Sequence, residues 1–169
     1  MKSTTKSKTC MTVASVILAT ALAIPAAAQK QVPFKGTIQG QDSDKGFTSP
    51  GLFLVESNGT GNGILLGRFT FKLETTINVA ESTDTGSAHF EAANGDTIDA
   101  TYTSTRPAQV QPTPDGVVFS IQEIYTITGG TGRFAGAQGS FVMDRVADPQ
   151  KFITFGSFSG SITPPGAAH

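Results

Sequence analysis

From Gln29 onward the chain carries a period of two and no sustained period of 3.6. Leu65, Gly67, Phe69, Phe71 and Leu73 fall on one face of an extended segment, with Leu66, Arg68, Thr70, Lys72 and Glu74 on the other. Further on, Ala88, Phe90 and Ala92 oppose Ser87, His89 and Glu91. One apolar and one polar face per segment is the pattern of antiparallel strands with one side on a core. Runs rich in Thr, Val, Ile and Phe alternate with Gly, Asn, Asp and Pro clusters, which predicts many strands and tight turns.

Eight strands are expected, at 32–39, 50–56, 63–79, 85–92, 96–104, 116–127, 137–146 and 151–162. The third is long and is expected to bend near Glu74-Thr75-Thr76. Turns fall at Ser57–Gly63, Glu81–Asp84, Ala93-Asn94-Gly95, Thr128–Gly132 and Ala147–Gln150. Arg106–Pro114 contains three prolines and is the one long connection, suited to fold over a cavity mouth. Parity selects the turn after Ala92. A three-residue loop with Gly95 left-handed pairs Phe90 with Ile98 and His89 with Asp99, which keeps the faces separate, whereas a two-residue loop mixes them.

The N-terminus has a different character. Lys2, Lys6 and Lys8 precede the apolar run Val13–Ile24, then Pro25 and Ala26-Ala27-Ala28. This order describes a secretory signal peptide cut between Ala28 and Gln29, so a secreted or periplasmic product is expected. A membrane anchor is the other reading, disfavoured by a short, alanine-rich run that ends at a proline. The expected plan is a signal over 1–28, one β-barrel domain over 29–163 and a flexible tail over 164–169. The sole cysteine, Cys10, leaves with the signal, so packing and backbone pairing alone must hold the mature domain. Without the three leader lysines the chain has nine basic and thirteen acidic residues, a net charge of −4. With no basic stretch interleaved with aromatics, nucleic acid is not an expected partner. No second long apolar segment exists, so the mature chain is expected to lack an integral membrane span.

The two ends of the mature chain echo one another. Phe34-Lys35-Gly36-Thr37-Ile38 and Phe158-Ser159-Gly160-Ser161-Ile162 both read Phe-x-Gly-Ser/Thr-Ile. Pairing the first strand with the last would close an eight-stranded antiparallel barrel and remove the edges that invite aggregation. All twelve phenylalanines lie after the leader, enough to fill or line its interior.

The most patterned stretch is Thr128-Gly129-Gly130-Thr131-Gly132-Arg133-Phe134-Ala135-Gly136-Ala137-Gln138-Gly139. It resembles the glycine-pair, aromatic, Gly-Ala, Gly turn of the barrel shared by allene oxide cyclases and dirigent proteins, and still more that of small exported bacterial proteins of the same barrel type. The resemblance implies an eight-stranded antiparallel barrel with a cavity for a small apolar molecule. The plant members are often oligomeric, which makes a homo-oligomer one expectation. Cyclases rearrange a fatty-acid epoxide and dirigent proteins steer the coupling of phenolic radicals, but the resemblance places neither family's catalytic residues on this chain. A phosphate-cradling loop would need a helix behind the glycines and a Lys-Ser/Thr, whereas a Phe/Val strand follows here.

Glu123 is the candidate for chemistry. Val117, Phe119, Ile121, Tyr125 and Ile127 share its parity, so alternation sets a carboxylate in an apolar row. Desolvated there, it would have a raised pKa and act as a general acid or base. Two structural readings stay open: a bulge that flips the parity, and an ion pair with an arginine such as Arg145, which shares the face of Phe141 and Met143. Phe69, Phe71, Phe90, Tyr102, Phe119 and Tyr125 are the residues expected to line a ligand cavity. His89 and Asp99, near Glu91, read as a surface pair rather than a metal site, and no metal or cofactor is expected. The expected function is binding of a small apolar or amphipathic molecule without transforming it. A cyclase or isomerase acting through Glu123 and a non-catalytic cell-envelope interaction module are the alternatives.

Overall fold

The computed structural model describes residues 30–166; the expected signal peptide and the last three residues of the expected tail lie outside them. Nine strands are present: β1 Val32–Ser49, β2 Leu52–Gly63, β3 Gly67–Asn78, β4 Thr83–Ala92, β5 Thr97–Ser104, β6 Gln109–Thr113, β7 Gly116–Gly130, β8 Gly139–Asp148 and β9 Ile153–Ile162. Every pairing is antiparallel, in the order β5-β4-β3-β2-β1-β9-β8-β7-β6, and a further β5–β7 pairing closes a ring of eight. β6 is the ninth strand, paired to β7 outside the ring. Among the described residues no helix is long and apolar enough to cross a membrane.

The expected eight-stranded barrel is therefore the fold. First and last strands meet, and their echoed motifs pair reciprocally: Phe34 lies opposite Gly160, and Gly36 opposite Phe158. The Phe158 ring occupies the space that Gly36 leaves free, a methyl group there standing 2.8 Å from Phe158 Cζ, whereas Gly160 makes room for Phe141 of β8. The Ala93-Asn94-Gly95 loop is also as expected, with Gly95 at φ +85°, Phe90 opposite Ile98 and His89 opposite Asp99.

The same device recurs around the barrel. Phe71 pairs with Gly59, Phe69 with Gly61, Tyr102 with Gly86 and Phe141 with Gly160. A methyl group added at Gly59 would stand 2.8 Å from Phe71 Cε1, and one added at Gly61 would overlap the Phe69 ring. An interior of eight strands has room for side chains only if large ones meet small ones. Seven of the twelve phenylalanines are buried, and five of them, Phe34, Phe69, Phe71, Phe141 and Phe158, lie opposite a glycine. Phe141 is central, with Phe34, Phe90, Tyr125 and Phe158 between 4.6 and 6.0 Å away, centroid to centroid.

These pairs correct the expected turn at Ser57–Gly63. The segment is instead the second half of β2, because Gly59 and Gly61 must lie opposite Phe71 and Phe69. The chain reverses at Ile64-Leu65-Leu66, with Leu65 at φ +75° and Leu66 buried in the core. β3 begins only at Gly67, and its pairing with β2 and β4 is continuous through Glu74-Thr75-Thr76. β1 continues to Ser49, ten residues beyond the expected end at 39, because its polar half pairs with β2 from Gly40↔Gly59 to Ser49↔Leu52, with two register shifts. The proline-rich connection is not a free flap. Gln109–Thr113 forms β6, an exposed edge strand that tolerates Pro112, and Ala108 N–H bonds the Ser82 carbonyl at 2.7 Å. After β9, Gly166 N–H bonds the Arg133 carbonyl at 2.8 Å.

Gly61→Ala should overpack the Phe69 site and lower unfolding free energy in chemical denaturation by about 1–3 kcal/mol. Gly129→Ala, where nothing lies within 4 Å of the added methyl, should change it by less than about 0.5 kcal/mol.

Candidate functional site

Along β7 the inward row reads Ile127, Tyr125, Glu123, Ile121, Phe119, with no bulge between Phe119 and Ile127 in its pairing with β8. Parity thus carries Glu123 inside, where it is fully buried. Of the readings left open, the ion pair is the one found. Arg145 Nη2 donates to Glu123 Oε1 at 2.6 Å and Nε to Oε2 at 3.4 Å, while Tyr125 Oη donates to Oε2 at 3.1 Å. Arg145 Nη1 donates to Thr154 Oγ1 at 3.4 Å. Burial opposes the guanidinium's charge, but the Glu123 carboxylate beside it carries the balance and holds its pKa above the ordinary value.

A second carboxylate joins this cluster. Asp84 Oδ2 lies 3.6 Å from Arg145 Nη2, and Asp84 Oδ1 accepts from Ser104 Oγ at 2.6 Å. Burial, and then the charge on Glu123, push the Asp84 pKa up to about 6, against the opposing pull of the Ser104 hydrogen bond and Arg145. Above it, Thr75 Oγ1 and Tyr102 Oη share a hydrogen bond of 2.6 Å. The phenols of Tyr102 and Tyr125 stack at 4.5 Å, and burial raises the pKa of both. Two carboxylates, one guanidinium and two phenols form a polar layer across the barrel.

On one side of this layer lies the phenylalanine core. On the other is a cavity of about 320 Å³. Thr75, Asp84 and Arg145 line it, as do Phe53, Val55, Ile77, Phe119 and Ile121. Asp42, Asp44, Ala108 and Phe152 also contribute. The volume sits at the low end of the roughly 300–1,000 Å³ usual for small-molecule sites, and the mix of apolar wall and few polar groups is typical of them.

The expected site residues divide. Phe119 lines the cavity. Phe71, Phe90, Tyr102 and Tyr125 are buried core members and do not line it; Phe69 is a core member too, and borders a separate groove beside β1–β4. The glycines opposite Phe69, Phe71 and Tyr102 let those rings fill the interior instead of edging it. Glu123 does not line the cavity either, and Arg145 and Asp84 stand where a guest would arrive. His89 Nδ1 and Asp99 Oδ1 meet at 2.7 Å on the outer face, both about half exposed.

Asp84 is the residue that sequence reasoning missed, since Glu81–Asp84 reads as a turn. It is the second residue of β4, opposite Ile77, and shares parity with Gly86, Ala88 and Phe90. Extending that alternation two residues back would have placed it inside. No protein-family model, curated protein or solved structure matches the chain, so the site rests on its own geometry.

Arg145→Met leaves a buried, unpaired Glu123 and should cost about 3–5 kcal/mol of stability, most of it recovered in Glu123→Leu/Arg145→Met. Asp84 binds its proton more tightly folded than unfolded, so its ionisation costs stability as pH rises from the ordinary value of 3.8 through about 6. Asp84→Asn should therefore exceed the wild type in stability near neutral pH, by at most about 3 kcal/mol, and the gap should close near pH 4 in denaturation curves.

Proposed function

We propose that this protein is an exported barrel that binds a small, largely apolar molecule with one polar end and releases it unchanged. The observation that carries this is the cavity of about 320 Å³, apolar along its walls and polar only at its floor and rim. A barrel built for stability alone would continue the phenylalanine packing to both ends. Here the aromatic core stops at a layer of buried charge, an arrangement that costs desolvation and brings stability only through close pairing. The leader-like N-terminus and the resemblance of the 128–139 turn to exported barrel proteins support the same reading.

Catalysis through Glu123 would require a guest to pass Arg145 and Asp84. If the cavity does transform its guest, Asp84 is the acid at its surface, with a pKa of about 6 suited to moving a proton near neutrality.

Native mass spectrometry of the protein recovered from the cells that make it is expected to show a reproducible extra mass that is lost on denaturation. Ala147→Phe, which fills the cavity wall, should fold and come back without it. A bare wild-type mass, or an adduct retained by Ala147→Phe, would refute binding in this cavity. The protein mass in the same spectrum should correspond to a chain starting at Gln29.

A further inference from the structure

The charges around the cavity indicate which class of guest it takes, an inference that rests on the binding reading above. Among the described residues Arg145 is the one cation in the lining, and it is already engaged. Its Nη2 and Nε bond Glu123, its Nη1 reaches Thr154 Oγ1, and Nη2 also faces Asp84. An arriving carboxylate would be the third to share one guanidinium.

Asp84 is in the opposite position. It is only 6% exposed, so its charge is poorly screened by water. Its Oδ1 is satisfied by Ser104, whereas Oδ2 has the guanidinium only at 3.6 Å, beyond hydrogen-bond reach. Two carboxylates, Glu123 and Asp84, face one arginine, so the floor holds an excess of acidic groups and is net negative when Asp84 is ionised. Asp42 and Asp44 repeat that sign elsewhere in the lining. The wall includes Phe53 and Phe119, and aromatic faces attract cations as well as apolar groups.

We propose that the cavity takes an amphipathic cation, an ammonium on a compact apolar body, with the ammonium against Asp84 Oδ2 and the body along Phe53, Val55, Ile77 and Phe119. The floor disfavours a fatty-acid carboxylate and gives a neutral apolar molecule no reason to prefer this end of the barrel. Glu123 from β7, Arg145 from β8 and Tyr102 from β5 face Asp84. Arg145 and Tyr102 stay protonated, their pKa values being pushed further up. Protonating Asp84 removes the floor's net charge, so the preference for a cation should fade as pH drops through about 6.

Isothermal titration with octylamine, octanol and octanoate tests this on the folded, ligand-stripped protein. Octylammonium should bind at least about tenfold more tightly than either other probe at neutral pH, equivalent to about 1.4 kcal/mol. That preference should shrink at about pH 5 in the wild type and be absent in Asp84→Asn, while octanol affinity stays constant in both. Equal binding of octanol, tighter binding of octanoate, or a preference retained by Asp84→Asn would overturn the cationic assignment and leave the binding reading standing. Failure of all three probes to bind would bring down both.

Discussion

The cross-strand pairing of aromatic rings with glycines is the contact on which the rest of this barrel depends. Eight strands enclose too little space for a phenyl ring at every inward position. Gly36, Gly59, Gly61, Gly86 and Gly160 each give up a side chain so that Phe158, Phe71, Phe69, Tyr102 and Phe141 can lie across them. Glycine in a strand weakens it by itself, through lost packing and greater unfolded-state entropy. The ring laid over it restores the buried area and closes the backbone to water. At the seam between β1 and β9 the ring of Phe158 lies over Gly36, so that seam is held by the same kind of contact that fills the core.

The aromatic packing also explains where it stops. β3 passes from Phe69, Phe71 and Leu73 to Thr75, β8 from Phe141 and Met143 to Arg145, and β7 from Tyr125 to Glu123. The polar residues of the paired strands β7 and β8 and of β3, which is adjacent to neither, gather in one layer, so none is buried without a partner near it. Tyr125 joins the two regimes, its ring stacked on Phe141 and its hydroxyl bonded to Glu123. The layer leaves a cavity at one end of the barrel, lined in part by charged groups that a rigid core holds in place.

Much of the fold was legible in the chain. Period-two alternation gave the inward faces of β3, β4 and β7, and parity chose the Ala93-Asn94-Gly95 loop. Element boundaries were less so. Glycine is the usual mark of a turn, and Ser57–Gly63 was read that way; whether Gly59 and Gly61 bend a chain or receive a ring depends on Phe71 and Phe69, which lie twelve and eight residues further along. The site was legible by halves. Alternation on β7 brought Glu123 inside and the parity of Arg145 made it the candidate partner, but Asp84 was hidden by the turn signals around it.

By itself, the sequence determined the all-β class, the antiparallel pairing and the inward rows, because each follows from side-chain period and from local turn chemistry. Only the tertiary structure decided which aromatic residues plug the barrel and which face an opening, and that Asp84 and Glu123 share one arginine. Those outcomes depend on the register between strands far apart in sequence, where a shift of one residue would exchange the two faces. A cavity is a property of the space several strands leave between them, and no single strand encodes it.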